Sequence, residues 1–186
     1  VADLGRIDFP ALERQRADRL PDMPKFSVII PAYKTPERYL KEMLDSIAAQ
    51  TYANWEVCVV DGSPAGESVE RVLRRYAERD RRFKYAVLGE NKGIAGNTNA
   101  ATDMADGDYI VLADHDDALT PDALYECAKC ICAHPDCDVL YSDEDKLDMD
   151  GGALFDPHFK PDFNPDLLCS VNYICHLFVV SHDLAA

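Results

Sequence analysis

The chain has 186 residues, of which 47% are hydrophobic, and its formal net charge at pH 7 is −15. This length and composition suit one globular domain with a sizeable core and exclude a disordered chain. The negative charge argues against nucleic acid as a partner and against simple docking on anionic lipid, because both need clustered Lys and Arg. No apolar stretch is long enough to span a membrane.

The leader, residues 1–25, contains prolines and a charged run and is predicted to hold one short helix. The first residue is Val, and the sequence stops directly after a predicted strand. We therefore expect the chain to be a piece of a longer protein.

A regular pattern of strands and helices begins at Phe26. The continuous apolar run FSVIIPA predicts a buried parallel strand. A helix is predicted next, with Thr35 as its N-cap and Pro36 at its first position. The run WEVCVVDGS predicts the second strand, and residues 68–80 predict the second helix.

The alternation continues with the strand FKYAVL, the helix GIAGNTNAATDMA, the strand DYIVLAD, the helix TPDALYECAKCICA and the strand CDVLYSD. Such alternation predicts right-handed βαβ units, and hence an α/β fold whose mostly parallel, doubly wound sheet has helices on both faces. After residue 145 the alternation stops. We expect this last segment, with one predicted strand near its end, to lie over one edge of the sheet and to carry specificity.

The seven cysteines are odd in number and irregularly spaced, which predicts reduced thiols rather than a disulfide framework. Four of them lie in CAKCICAHPDC, which leaves open a zinc site of Cys127, Cys130, Cys132 and Cys137. The alternative is a helix whose apolar stripe includes Cys127 and Cys132, and the helical spacing of the apolar residues favours it.

Acidic residues follow three of the predicted strands. Asp61 follows the second strand, Asp114 and Asp116 follow the fourth, and residues 143–145 follow the fifth. Ligands of open α/β sheets bind outside the carboxyl ends of the strands, so these acids are predicted to share one ligand-binding rim.

The aspartates after the fourth strand, Asp114, Asp116 and Asp117, would repel one another unless a cation neutralised them. Mn²⁺ and Mg²⁺ prefer oxygen ligands and often bind phosphate groups as well, so we predict one of these ions here. The alternative is a solvated acidic turn, with Asp122 supplying negative charge at a helix N-terminus. His115 is expected to point away from the site.

The segments SVIIPAYKTPERYLKEMLDSIAAQTYANWEVCVVDGS, ENKGIAGNTNAA and YIVLADHDDALTPDALY resemble the inverting glycosyltransferases of family 2, which have the GT-A fold. DVLYSDEDKLD and FKPDFNPDLLCSVNYICHLFVV resemble a bacterial subgroup that builds cell-surface polysaccharides, including rhamnosyl and galactosyl transferases. The resemblance runs from about Phe26 to the last residue. It implies that residues 26–186 form a nucleotide-sugar-binding GT-A domain that is incomplete at its C-terminal end.

The resemblance also implies roles for the matching positions. The metal ligands would be Asp114 and Asp116. The donor or acceptor sugar would contact Asp117, Asp143, Glu144 and Asp145, although the last three also suit a polar turn. The nucleotide would be bound by Pro31, Ala32, Tyr33, Asp61, Gly93, Asn99 and Asp114, with Asp61 accepting a hydrogen bond from the base.

This chain departs from many family members at two positions near the nucleotide. It has DGS where many members have DDGS, and Thr98 stands where many have an Arg that can contact phosphate. The general base of the family lies in a later segment, which we expect beyond Ala186. No catalytic residue is therefore assigned in this chain, and we expect the 186 residues alone to transfer no sugar at a useful rate.

The implied function is metal-dependent transfer of a sugar, with inversion, from a UDP- or dTDP-linked donor to a glycan or lipid-linked acceptor. We expect the full-length protein in the cytoplasm, or peripheral at the inner face of the cell membrane. One alternative is a non-catalytic nucleotide-sugar-binding module. Another is a sugar nucleotidyltransferase, which would need a Gly-rich loop that PAYKTPE lacks. A Rossmann dehydrogenase is disfavoured because no G-x-G-x-x-G follows the first strand.

Overall fold

The computed structural model describes residues 8–64, 66, 68–148 and 153–185. Eight strands are present in these ranges: β1 (Phe26–Ala32), β2 (Trp55–Asp61), β3 (Phe83–Val87), β4 (Tyr109–Leu112), β5 (Val139–Tyr141), β6 (Glu144–Leu147), β7 (Leu154–His158) and β8 (Phe178–Ser181). The helices are α1 (Phe9–Ala17), α2 (Glu37–Ala48), α3 (Ser68–Arg79), α4 (Gly93–Thr102), α5 (Ala123–Ala133), α6 (Pro165–Leu168) and α7 (His182–Ala185). None of these helices is both long and apolar enough to cross a membrane.

The central sheet has six strands in the order β3-β2-β1-β4-β8-β5, and a separate two-stranded sheet pairs β6 with β7. The first four strands of this order are parallel, whereas β8 is antiparallel to both β4 and β5. The predicted mostly parallel α/β sheet is therefore confirmed, as is the short helix in the leader, which is α1. The boundary at residue 25 stays a prediction.

The expected position of the last strand, over one edge of the sheet, is wrong. β8 lies inside the sheet, between β4 and β5. β8 lies inside the sheet because it is buried on both faces. Val179 packs into the core on one face, and Val180 packs into the core on the other. A strand that is apolar on both faces is stable where layers cover it on both sides.

Helices cover both faces of the sheet, as predicted. The larger core lies on the face of α2, α3 and α5, where Leu44, Val72 and Leu124 are buried. The smaller core lies on the face of α4, where Ala101 packs near Ile29 of β1. The strands β1 and β2 are consequently buried along nearly their whole length, including the residues at their carboxyl ends, Ala32 and Asp61.

The structure tests two local predictions, the N-cap of α2 and the zinc site of four cysteines. Helix α2 begins at Glu37 with Pro36 as N-cap, so the prediction of Thr35 as the cap is wrong; its side chain is buried instead. Within the described ranges the cysteines form no cluster with metal-ligand spacing, which argues against the zinc hypothesis. Cys127 packs against the core as the helical alternative predicted, and burial raises the pKa of its thiol to about 12.

At the amino ends of the strands, Glu56 is a buried carboxylate that accepts hydrogen bonds from Ser27 Oγ at 2.7 Å and Asp106 N at 2.8 Å. It also pairs with the ammonium groups of Lys25 at 2.7 Å and Lys84 at 2.8 Å. Burial alone would raise the pKa of Glu56, but the hydrogen bonds from Lys25, Lys84 and Ser27 outweigh burial, and the net shift is downward.

We expect Glu56→Gln to lower the free energy of unfolding by about 2 kcal/mol, because the ammonium groups of Lys25 and Lys84 lose their buried anion and are left with the exposed Asp106 as their acidic partner. Urea denaturation measures this loss, with the exposed Glu78→Gln on α3 as the matched control. Nucleotide affinity should not change, since Glu56 lies at the end of the sheet opposite the rim. A stability loss below about 1 kcal/mol would show that the network is a solvated surface feature.

Candidate active site

The predicted rim is formed by the carboxyl ends of β1, β2 and β4. The register pairs Ala32 of β1 with Asp61 of β2, and Ile29 of β1 with Leu112 of β4. Because β8 is antiparallel to β4, it begins where β4 ends. The residues that follow β4 and those that precede β8 therefore meet at this rim.

Three side chains with metal-binding atoms come together at the rim: Asp114, Asp117 and His176. Their ligand atoms all lie within 4.8 Å of one another. Among the residues that the structure describes, these three form the group of His, Cys, Asp or Glu side chains that is spaced to hold a metal ion. The Nε2 atom of His176 is 3.1 Å from Oδ2 of Asp114. His176 was not singled out from the sequence, and Asp117 was predicted to contact sugar rather than metal.

The electrostatics of the three side chains are coupled. The hydrogen bond with His176 lowers the pKa of Asp114, and the same bond raises the pKa of His176 against the opposing effect of its desolvation. Desolvation raises the pKa of Asp117; the charge of His176 opposes this shift, and the carboxylates of Asp114, Asp116 and Glu144 add to it. The rim thus holds excess negative charge, which a bound cation would relieve.

Asp116 lies apart from this group. Its Oδ1 is 3.6 Å from Nδ1 of His115, and its side chain is about half exposed. The structure therefore brings Asp114 together with Asp117 rather than with Asp116. The role of Asp116 as a metal ligand stays a prediction.

Asp61, at the end of β2, is fully buried. Its Oδ1 accepts a hydrogen bond of 2.8 Å from the backbone N–H of Ser63, while its Oδ2 has no partner among the residues the structure describes. An unsatisfied buried carboxylate oxygen is costly, so it calls for a donor from a ligand. Near it, Tyr33 is 40% exposed beyond the end of β1, which contributes the predicted residues Pro31 and Ala32.

The loop before α4 packs closely against Gly62, the residue that follows β2. Gly93 has a φ of +76°, a conformation that favours glycine, and its N–H donates to Asn91 Oδ1 at 2.9 Å. The buried Asn97 donates to the same oxygen at 3.0 Å, and a Cβ on Gly62 would lie 2.8 Å from the Asn97 amide nitrogen. Asn97 was missed in the sequence, whereas the predicted Asn99 is exposed on α4.

The acids after β5 make contacts within the protein. Asp143 Oδ1 accepts a hydrogen bond of 2.7 Å from the backbone N–H of Lys160. Glu144 lies 3.3 Å from the Lys160 ammonium and 3.2 Å from the His158 imidazole. Asp145 is exposed on β6. Their predicted contacts with sugar stay predictions.

A comparison with protein-family models identifies one match, Glycosyl transferase family 2, over residues 27–175. The chain belongs to glycosyl transferase family 2. The matched range includes Asp61 and the aspartates after β4, and His176 follows it directly. The fold is accordingly the GT-A fold predicted from the sequence motifs.

Several known proteins resemble the chain along most of its length. The O-antigen biosynthesis protein RfbC of Myxococcus xanthus is 37% identical over 168 residues, which are 90% of this chain and 13% of RfbC. The chain therefore spans a small part of that relative. The crystal structure of S. aureus TarS 1-349 in complex with UDP has a TM-score of 0.67 at 25% identity, covering 86% of this chain and 47% of TarS 1-349.

A third similar protein is the mannosyltransferase PcManGT from Pyrobaculum calidifontis, solved in complex with GDP-Man and Mn²⁺. Its TM-score is 0.54 at 26% identity, covering 71% of this chain and 41% of that chain.

Proposed function

We propose that this chain is the donor-binding part of a metal-dependent glycosyltransferase. The whole protein would transfer a sugar, with inversion, from a UDP- or dTDP-linked donor to a glycan or lipid-linked acceptor. The observation that carries this proposal is the convergence of Asp114, Asp117 and His176 on the rim that also holds the unsatisfied carboxylate of Asp61. The free cysteines fit a cytoplasmic location, including the inner face of the membrane.

The donor set fits a divalent cation. Two carboxylates suit Mn²⁺ and Mg²⁺ alike, but the imidazole nitrogen of His176 favours Mn²⁺, because Mg²⁺ strongly prefers oxygen ligands. When bound, such a cation supplies positive charge that stabilises the departing nucleotide diphosphate. The Mn²⁺ of the mannosyltransferase PcManGT supports this assignment.

The remaining rim residues would hold the nucleotide. The buried Oδ2 of Asp61 would accept the N3–H of uracil or thymine, and the exposed ring of Tyr33 lies beyond the end of the neighbouring strand. Asp114 and either Asp116 or Asp117 would orient the diphosphate through the cation. Direct displacement also needs a general base, and no residue of this chain is assigned that role.

The test is a comparison of thermal unfolding with UDP, dTDP and GDP, each with Mn²⁺, with Mg²⁺ and with EDTA. We expect UDP or dTDP to stabilise the protein only with a divalent cation, by about 2.7 kcal/mol at a concentration 100 times the Kd. Without the cation, the acidic rim repels the diphosphate. Equal stabilisation in EDTA would contradict the proposal.

Transfer is separated from mere binding by an activity measurement on the intact protein. Incubation with a UDP- or dTDP-sugar, Mn²⁺ and a glycan or lipid-linked acceptor should transfer the sugar to the acceptor and release the nucleoside diphosphate, which liquid chromatography detects. A protein that binds the cation and nucleotide sugar but releases no diphosphate with any glycan or lipid-linked acceptor would instead be a binding module.

A further inference from the structure

The ammonium group of Lys160 is buried, with 1% of its side chain exposed. It donates to the backbone carbonyl oxygen of Ile174 at 2.6 Å and, by a shorter contact, to that of His176. Its third neighbour is Glu144 Oε2, at 3.3 Å. The first two contacts join the segment after β7 to the turn just before β8, and the third joins it to the first residue of β6.

A buried ammonium is stable only when its donors are satisfied and its charge is paired, so these contacts have little freedom to rearrange. Two of the acceptors are carbonyl oxygens of the turn that carries His176. One of them belongs to His176 itself, whose imidazole faces Asp114. The ammonium therefore fixes the backbone from which this imidazole projects.

We propose that Lys160 is a positioning residue that holds the His176 imidazole in place for metal binding. The inference rests on the proposed function of the rim as a metal site. The ammonium of Lys160 is buried and contacts protein groups, so we assign it no contact with the sugar or the diphosphate. It acts through His176, because metal ligands must be held to within about 0.5 Å of a productive geometry.

The same contacts give Asp143 and Glu144 a structural task. Asp143 accepts the backbone N–H of Lys160, and Glu144 pairs with its ammonium. The acids after β5 thereby anchor Lys160 to the end of the central sheet, and Lys160 in turn anchors the turn that carries His176. Sugar contacts from these two acids are not needed to explain their positions.

The first test is Lys160→Met in the intact protein, with the Kd for Mn²⁺ measured in the presence of UDP by electron paramagnetic resonance of free Mn²⁺. We expect the Kd to rise at least about 10-fold, as for other residues that orient metal ligands. Lys146→Met is the matched control, since Lys146 is an exposed lysine of β6 that pairs with Asp156. The control should stay within about 2-fold of the unsubstituted protein, an exposed ion pair contributing little.

A double-mutant cycle separates positioning from a general loss of stability. If Lys160 acts through His176, Lys160→Met should cause no further loss of Mn²⁺ affinity in a His176→Ala background. Additive losses would overturn the inference. If His176→Ala leaves Mn²⁺ affinity unchanged but Asp114→Asn lowers it, the imidazole is not a ligand and this inference fails while the metal site stands. If neither substitution lowers the affinity, the proposed metal site itself fails. If only Lys160→Met has no effect, this inference alone fails.

Removing a buried ammonium can also prevent folding. Should Lys160→Met not fold, Lys160→Gln is measured in its place, since its amide can still donate to a carbonyl oxygen of the turn. We expect the same direction of change and the same absence of further loss beside His176→Ala. Unchanged Mn²⁺ affinity in folded Lys160→Gln would contradict the inference.

Discussion

Replacing His176 with alanine is expected to raise the Kd for Mn²⁺, measured in the presence of UDP, by at least about 100-fold, which exceeds the effect of residues that only orient a ligand. The reason is the loss of one of three ligand atoms that lie within 4.8 Å of one another. Mn²⁺ titration followed by electron paramagnetic resonance measures the change. The exposed His134 at the end of α5 supplies the matched control, His134→Ala.

The same titration distinguishes the two candidate acids beside Asp114. Asp117→Asn should weaken Mn²⁺ binding if the grouping seen in the structure is the metal site, and Asp116→Asn should do so if the family motif applies as predicted.

The Mn²⁺ affinity of the unsubstituted protein should fall as the pH is lowered through the raised pKa of His176, because the proton competes with the cation for the imidazole nitrogen. Unchanged affinity in His176→Ala would remove the imidazole from the site.

Asp61→Asn is expected to raise the Kd for UDP about 10- to 100-fold, since a hydrogen bond to a charged group contributes about 1.5–3 kcal/mol and each 1.4 kcal/mol is tenfold. Asparagine keeps the size of the side chain and an oxygen for the Ser63 N–H. Its amide hydrogens, however, would face the N–H of the base where Oδ2 now lies unpaired. Isothermal titration with UDP and Mn²⁺ measures the loss.

Asp103→Asn, at the C-cap of α4, is the control for this change of charge. Mn²⁺ affinity without nucleotide should be the same in Asp61→Asn as in the unsubstituted protein, because Asp61 is proposed to contact the nucleotide base and not the metal. Normal UDP binding by Asp61→Asn, together with lowered stability, would make Asp61 a structural residue.

Much of the fold was predictable because burial on both faces leaves a clear pattern in the sequence. The runs that became β1 and β2 are mostly apolar and almost fully buried, and their alternation with amphipathic helices has few other solutions. The place of β8 was not predictable in this way. The sequence of a four-residue strand does not indicate which strands it will pair with. In the structure β8 pairs with β4 and β5.

The site was predictable in part, for the residues that follow parallel strands. Asp61 and Asp114 follow parallel strands, and the carboxyl ends of such strands meet at one rim. His176 was missed because it is 62 residues from Asp114 and stands alone before an apolar run. The signal lay in strand direction, since an antiparallel strand begins at the rim where parallel strands end. Lys160 was missed because nothing in its charged surroundings marks a buried ammonium.

The insertion of β8 between β4 and β5 has a consequence for how the molecule assembles during synthesis. A nascent chain can pair β1 to β4 and present Asp61 and Asp114 before β8 has left the ribosome. Until then, β4 has one unpaired edge, and β5 lacks the neighbour that joins it to the sheet. The imidazole comes into place only when β8 fills this gap, so high-affinity Mn²⁺ uptake is expected to appear after the part of the rim that holds Asp61 has formed.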